Sequence, residues 1–399
     1  MGNCRIISFI VFLFTILQFS YLIDVQGGGL DTEPVVFCYY GSWATYRPGI
    51  AQFDVEHINA SLCTHIIYTF MGLKDGVIVS LDEYNDYEEN WGKGSLRRFA
   101  NFAKTNGLRA ILAIGGWNEG SVKYSEMAES EVGRSTFADS VVTFVKKYNF
   151  DGLDLDWEYP TQRGGTHEDK ENFSLLLEVL SDKLHAEGLL LTVAVCADPD
   201  IAKEGYDFQK VGQYADYISL MSFDYHTATS DNVTALNSAL HKLPGETGDD
   251  ATLNVEYSVN QWLNGGIPAK KLLVGIPLYG RTYILADGQN HGLGASIIAN
   301  GTAGPYTREP GFLSYYEICM VKEWNVVTDG AQGYLYAYYD DNWVSYDDVN
   351  TVTAKAQFIR DKGLAGIMAW ALESEDFCNN CGEGANPLLT AANKVLGRL

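Results

Sequence analysis

The sequence predicts a closed (β/α)8 barrel that carries a small α+β insertion between its seventh and eighth strands. Eight short apolar runs of β-type composition alternate with helical patterns along the 399 residues. This alternation is typical of parallel βα units, and eight such units form a closed barrel most economically. An open doubly wound sheet would show the same periodicity, but no glycine loop of the dinucleotide-binding or Walker type follows any predicted strand.

Each predicted strand is a short apolar run, and the strands cover 35–40, 65–70, 109–114, 152–156, 190–195, 217–221, 272–276 and 366–369. Helical patterns cover 95–105, 134–148, 170–187, 257–263 and 352–362, and a last helix is predicted over 386–399. The stretch 282–348 is different because it is rich in Tyr and Gly and has only a weak helical signal. It is too long for a simple βα connection. We expect it to form a small α+β subdomain that makes one wall of a cleft.

The charge of the chain excludes two classes of partner. The formal net charge is −23, from 51 acidic and 28 basic residues. Nucleic acids and anionic membranes both require a basic surface, so neither is an expected partner. A negative, soluble protein that acts on a neutral or weakly basic polymer fits this composition.

The N-terminus has the pattern of a secretory signal. Arg5 precedes an almost wholly apolar run over 6–23, and Val25-Gln26-Gly27 offers small residues for cleavage. The sequence therefore predicts a signal peptide over 1–27 and a secreted catalytic region over 28–399. The run just reaches membrane-spanning length, so an uncleaved signal-anchor is the alternative. No second stretch is long enough to span a membrane, and we expect a monomer without membrane association after cleavage.

The cysteines and sequons agree with an oxidising compartment, where disulfides are the default. Of seven cysteines, Cys4 lies in the signal, Cys196 lies in an apolar strand as an expected buried thiol, and Cys378 has no assigned partner. The Cys378–Cys381 pair lacks a second CxxC or a nearby His, so we predict no metal site. Four Asn-X-Ser/Thr sequons are candidate glycosylation sites: Asn59, Asn172, Asn232 and Asn300.

The segment 151–160 carries the strongest functional signal. Its sequence is Asp-Gly-Leu-Asp-Leu-Asp-Trp-Glu-Tyr-Pro, and the period of two in a strand places Asp154, Asp156 and Glu158 on one face. A solvated edge strand with acidic decoration is one interpretation. We favour the other, in which coupled carboxylates keep the last of them protonated, because that arrangement turns Glu into a general acid.

Aromatic and polar residues follow the other predicted strands, at the end of a barrel where active sites lie. Trp43, Trp117 and Trp370 each come just past a strand end. Sugar rings stack their flat C–H faces on aromatic rings. A cleft lined in this way therefore favours a glycan.

The pattern Asp151-Gly152-x-Asp154-x-Asp156-x-Glu158 resembles the signature of glycoside hydrolase family 18, the chitinases and chitinase-like lectins. The resemblance implies that Glu158 is the proton donor, that Asp156 orients the substrate acetamide, and that Asp154 shares a proton with Asp156. It also implies substrate assistance: the acetamido oxygen of N-acetylglucosamine attacks its own C1, with retention of configuration and without a cofactor. Chitin or chitooligosaccharides are the implied substrates of an endo-type cleft.

The same resemblance assigns further residues. It implies substrate contacts at Asp224, Tyr279 and Arg281, a floor at Trp370, and flanking sugar contacts at Trp43 and Trp117. The predicted substrate-binding set is completed by Tyr39, Tyr159, Met221 and Phe223. It also implies the disulfides Cys38–Cys63 and Cys319–Cys381.

One residue departs from the family pattern, which usually has Tyr at the position of Phe223. Loss of that hydroxyl predicts a slower enzyme rather than an inactive one, because Glu158 is retained. A lectin that binds chitooligosaccharides without cutting them is the second hypothesis, and only Phe223 supports it. A hydrolase of N-glycan cores is the third, and the long insertion and aromatic cleft favour chitin over it. A purely structural role leaves the carboxylates unexplained.

Overall fold

The computed structural model describes residues 33–329 and 333–399. The predicted signal peptide, with Cys4 and Arg5, lies outside these residues. Within the described ranges, no helix is both long and apolar enough to cross a bilayer.

The described chain contains strands and helices in alternation. The strands are β1 Val35–Gly41, β2 His65–Lys74, β3 Val77–Ser80, β4 Arg109–Gly115, β5 Gly152–Asp156, β6 Leu190–Cys196, β7 Tyr217–Met221, β8 Leu272–Pro277, β9 Tyr279–Leu285, β10 Ile297–Asn300, β11 Phe312–Ser314, β12 Asn325–Asp329, β13 Tyr334–Tyr339, β14 Asn342–Ser345 and β15 Gly366–Trp370. The helices are α1 Glu83–Asp86, α2 Ser95–Thr105, α3 Val122–Ala128, α4 Glu131–Tyr148, α5 Asp169–Ala186, α6 Pro199–Gly205, α7 Phe208–Tyr214, α8 Val255–Asn264, α9 Tyr315–Met320, α10 Val349–Lys362 and α11 Pro387–Leu396.

Eight parallel strands form a closed barrel. Their order is β1-β15-β8-β7-β6-β5-β4-β2, and parallel pairing of β1 with β2 closes the ring. All eight strands predicted from the sequence are present. The strand β3 was not predicted, and it pairs antiparallel with the end of β2 as a short hairpin.

The ends of the helices follow local capping chemistry. Ser130 accepts the Gly133 N–H before α4, and Asp348 accepts the Asn350 and Thr351 N–H groups before α10. These helices begin three residues earlier than predicted because their first turns hold a single valine each and do not extend the apolar pattern. After α10, Gly363 ends the helix with a left-handed φ of 64°.

Two apolar layers fill the barrel and its shell. The first lies inside the ring and includes Phe37, Tyr39, Ile67, Met221 and Leu273. The second lies between the strands and the surrounding helices and includes much of β5's outer face, α4 and α5. Leu153 and Leu155 of β5 belong to this outer layer, so Asp154 and Asp156 face the interior of the barrel.

The connection between β8 and β15 forms a second sheet. Its order is β10-β9-β14-β13-β12, with β11 paired to β9, and all of these pairs are antiparallel. The helix α9 follows β11. Because β9 begins at Tyr279, directly after the barrel strand β8, this sheet starts at the carboxyl end of the barrel.

Both disulfides that the resemblance implied are present. Cys38–Cys63 joins β1 to the segment before β2, and Cys319–Cys381 joins α9 to the segment after β15. Cys196 is a buried free thiol, as predicted, and Cys378 is a free thiol on the surface.

Candidate active site

Asp154 lies at the bottom of the site, inside the barrel. It has no exposed surface and is paired in register with Thr192 of β6. The hydroxyl groups of Thr192 and Tyr39 donate to its two oxygens, at 2.5 Å and 2.8 Å. Burial raises the pKa of Asp154 to about 6, while these two hydrogen bonds oppose the shift. Two donors therefore support the ionised form of this carboxylate.

Asp156 is the next residue of β5 after Asp154 that faces the interior of the barrel, and it is almost fully buried. Among the residues that the structure describes, none hydrogen-bonds its Oδ1 atom. Burial raises the pKa of Asp156 well above its usual value, and the charges of Glu158 and Asp154 raise it further. Burial and the two neighbouring carboxylates therefore all favour the neutral form of Asp156.

Glu158 follows the end of β5 and remains partly accessible from the cleft. Its pKa is raised to about 7, first by burial and then by the negative charge of Asp224, while Tyr159 and the charge of Arg163 lower it. The sequence attributed this shift to Asp154 and Asp156. In the structure burial is the largest cause, the charge of Asp224 after β7 adds to it, and Asp156 and Glu158 each disfavour the charged form of the other.

Asp224 forms a tightly bonded acidic group in the wall beside Glu158. The Tyr279 hydroxyl donates to its Oδ1 at 2.6 Å. Arg281 donates from Nε to Oδ1 at 2.7 Å and from Nη2 to Oδ2 at 2.6 Å, a bidentate pair of the strong type. Both partners come from β9, so the second sheet fixes this carboxylate relative to the barrel.

Four aromatic rings form a floor at the carboxyl ends of β1, β2 and β15. The Trp370 ring lies 5.6 Å from Tyr39, 5.8 Å from Phe70 and 6.3 Å from Trp43, measured between centroids. Trp43 and Phe70 are nearly parallel at 6.2 Å. Trp43 is 43% exposed, so the floor presents an apolar ring surface to the cleft.

Trp117 forms a second exposed ring after β4 and is 58% exposed. The Arg163 guanidinium lies over this ring, 3.7 Å from its centroid, a cation–π contact. The same guanidinium donates to the backbone carbonyls of Trp117 at 2.8 Å and Glu158 at 3.1 Å. Arg163 thus joins the aromatic ring to the segment that bears the candidate acid.

Three predicted substrate contacts lie deeper than the cleft surface. Tyr39 has no exposed surface, and its hydroxyl also lies 3.1 Å from Ser219 Oγ, so this residue supports Asp154 from below. Met221 is nearly buried in the inner core. Phe223 is half-buried, and its ring meets the Tyr279 ring edge-on at 6.0 Å. Tyr159 is partly exposed.

Sequence reasoning missed two residues of this site. Phe70 lies within the apolar run of β2, and its pattern does not distinguish it from core. Arg163 lies in a polar segment after the acidic motif, and its position above Trp117 depends on the turn of the chain between them. Only its placement five residues after Glu158 could have indicated a role.

Comparison with known proteins gives a consistent result over nearly the whole described chain. Residues 35–376 match the model of glycosyl hydrolases family 18. Mouse chitotriosidase-1 is 39% identical over 386 residues, covering 94% of this chain and 80% of that protein.

Two solved structures show the same fold. The Ostrinia furnacalis Group IV chitinase in complex with allosamidin has a TM-score of 0.88 at 41% identity, covering 92% of this chain and 99% of that one. Human YKL-39, described as a pseudo-chitinase with retained chitooligosaccharide binding, has a TM-score of 0.84 at 32% identity, covering 91% and 100%. The acidic strand, the closed barrel and these matches agree, and the chain belongs to the glycosyl hydrolases of family 18.

Proposed function

We propose that this protein is a secreted chitinase that hydrolyses β-1,4 bonds between N-acetylglucosamine units of chitin or chitooligosaccharides. The mouse relative is named chitotriosidase-1 and the Ostrinia furnacalis relative a Group IV chitinase. The aromatic floor and the exposed Trp117 suit stacking with a row of sugar rings. The observation that carries the proposal is the position of Glu158, which follows the end of β5 next to the buried Asp154 and Asp156 and remains accessible from the cleft.

Glu158 acts as the general acid in this proposal. Cleavage of a glycosidic bond needs a proton at the leaving oxygen, and a group with a pKa near the working pH is both protonated and able to release its proton. Glu158 has this pKa and remains accessible from the cleft. It then takes the proton back from the attacking water as the general base.

The nucleophile is the acetamido oxygen of the substrate itself. Asp156 has an unpaired buried oxygen, which accepts the acetamide N–H and directs the acetamide oxygen to C1. Asp154, held ionised by Tyr39 and Thr192, keeps the proton on Asp156 until positive charge develops on the acetamide. Asp224 and Tyr279, joined at 2.6 Å, contact the same sugar from the wall.

Cleavage of a soluble N-acetylglucosamine tetramer, followed by NMR, tests this function. We expect the β-anomer of the product first, because the mechanism retains configuration. Glu158→Gln should abolish turnover and keep oligosaccharide affinity within a few-fold, because the change removes the proton and little of the shape. Turnover retained in that variant would contradict the assignment of Glu158.

A non-hydrolytic chitooligosaccharide-binding protein is the second candidate. It is favoured by Phe223, which lacks the hydroxyl of the family pattern, and by the likeness to human YKL-39. Tight binding of the tetramer by the wild-type protein without any product would support this candidate against the enzyme.

The setting of the protein is also a proposal. Secretion after removal of 1–27 is supported by the two disulfides, which form in oxidising compartments. Glycosylation is proposed at Asn59, Asn232 and Asn300, which are exposed, and at Asn172, which is partly exposed. We further propose a monomer in which 28–399 is the catalytic unit and 282–348 is its inserted subdomain.

A further inference from the structure

Asp224 is held in an uncommon backbone conformation. Its φ is 56°, in the left-handed region, which residues other than glycine seldom adopt. We call residues 222–225, at the carboxyl end of β7, the Asp224 turn. Tyr279 and Arg281 bind the carboxylate of Asp224, but they do not bind its backbone. Another part of the chain must therefore stabilise the turn itself.

Two consecutive residues, Asn237 and Ser238, bracket the Asp224 turn. Asn237 Oδ1 accepts the backbone N–H of Asp224 at 2.9 Å, and the Asn237 carbonyl accepts the N–H of Tyr225 at 3.2 Å. Ser238 Oγ donates to the backbone carbonyl of Ser222 at 2.6 Å. Three hydrogen bonds thus hold the backbone of the turn on both sides of Asp224.

Both bracketing residues are anchored from elsewhere in the fold. The Asn237 N–H donates to Ser345 Oγ of β14 at 2.9 Å. Lys355 of α10 donates to Ser238 Oγ at 2.7 Å and to Asp347 at 2.6 Å. The Lys355 side chain is fully buried and that of Asp347 is 4% exposed. The second sheet and α10 therefore fix the position of the bracket.

Asn237 is poorly explained as a residue that only stabilises the fold. It is 1% exposed, and its Nδ2 atom has no hydrogen-bond partner within the described part of the chain. A buried donor without a partner destabilises the folded state. Of the two polar side-chain atoms of Asn237, the oxygen accepts the Asp224 N–H, and the nitrogen has no partner among the described residues.

We propose that Asn237 is a positioning residue for the glycosidase reaction, and that it holds Asp224 at the distance from Glu158 and from the substrate that the reaction needs. The inference rests on the proposed function of this site. In the proposal, the second sheet acts on Asp224 by two routes. Tyr279 and Arg281 orient the carboxylate, and Ser345 orients the backbone through Asn237.

The test is Asn237→Ala, compared with the wild-type protein in two measurements. The first is kcat and KM for the N-acetylglucosamine tetramer between pH 4 and pH 9, a range of about two units or more on either side of the Glu158 pKa near 7. We expect kcat/KM to fall about 3- to 10-fold, the loss typical of one orienting hydrogen bond. The second is hydrogen exchange at the amides of the Asp224 turn, which we expect to become faster.

The pH profile separates positioning from general stability. The charge of Asp224 raises the pKa of Glu158, while Tyr159 and Arg163 lower it. Asp156 and Glu158 also repel each other when both are charged. Moving Asp224 away lowers the pKa of the acid, so the alkaline limb of activity should shift to lower pH. Asn393→Ala is the matched control, because Asn393 of α11 is buried and donates to the carbonyls of Leu389 in the same helix and of Leu62 before β2. It should lower Tm without moving the limb.

Ser345→Ala is the second variant if Asn237→Ala does not fold, because it keeps the Asn237 side chain. We expect smaller changes of the same sign in kcat/KM, in the alkaline limb and in hydrogen exchange of the turn. An unmoved alkaline limb together with unchanged exchange in the turn would overturn the proposal and leave Asn237 a structural residue. If the wild-type protein cleaves nothing, the proposed function fails separately. Exchange in the turn and the affinity for the tetramer then decide the inference, since Asn237→Ala should weaken binding.

Discussion

Replacing Glu158 by glutamine should stabilise the folded protein at alkaline pH while it removes hydrolysis. The pKa of Glu158 rises from 4.5 to about 7 on folding, which corresponds to a penalty of about 3 kcal/mol for the charged form in the folded state. Solvent reaches the side chain from the cleft and screens part of this cost, which leaves about 2 kcal/mol. Glutamine has a similar shape and no charge, so the variant does not carry the cost.

The sign of this effect depends on pH. Below pH 4.5 Glu158 is protonated in the folded and the unfolded chain, so wild type and variant should be equally stable in this respect. Between pH 4.5 and about 7 the unfolded chain releases the proton first, and the wild-type protein loses stability as the pH rises. Above about pH 7 the penalty is complete.

Urea unfolding of both proteins at about pH 4.5 and pH 8.5 measures the difference. We expect Glu158→Gln to be more stable by about 2 kcal/mol at the higher pH and by little at the lower one. Glu126→Gln, at an exposed position on α3, is the control for the loss of one surface charge and should change stability by less than about 0.5 kcal/mol. An equal effect of Glu158→Gln at both pH values would refute the raised pKa and with it the basis for the general acid.

Three further outcomes are expected. Phe223→Tyr should raise kcat about 10- to 150-fold, the worth of one hydrogen bond to a group that develops charge; an unchanged or lower kcat would mean that the cleft has repacked around Phe223. Tyr39→Phe removes a donor from Asp154 and should raise the pKa of that carboxyl by about 1–2 units, seen as an acidic limb of the pH–rate profile at higher pH. Replacing Cys38 and Cys63 together by alanine opens a loop of 25 residues and should cost about 3.5 kcal/mol in urea unfolding; a loss below about 1 kcal/mol would contradict the loop-entropy account.

The barrel could be predicted from the sequence because its strands are buried on both faces. A run such as 190–195 is apolar apart from Thr192, which sets it apart from the amphipathic helices on either side. The hairpin strand β3 was missed because Val77–Ser80 is only four residues long and half-exposed. Short strands of this kind depend on their partner, here the end of β2, more than on their own pattern.

The site could be predicted in part. Residues that lie close together along the chain were predicted together, and contacts between residues far apart along the chain were not. Asp154, Asp156 and Glu158 lie on one strand, so their period alone places them together. Asn237 meets the Asp224 backbone across 13 residues of irregular chain, and no periodicity governs such a loop. The long-range contacts of the site therefore became visible only in the structure.

The stacking of Arg163 on Trp117 makes the two faces of this indole ring different. A guanidinium 3.7 Å from the ring centroid covers one face of the indole, so a sugar ring has the opposite face available. The same guanidinium binds the Glu158 carbonyl, which sets that free face in a fixed relation to the acid. In the proposed function, a sugar that stacks on Trp117 would use the face that Arg163 leaves uncovered, and Arg163 would thereby hold that sugar in a fixed relation to Glu158.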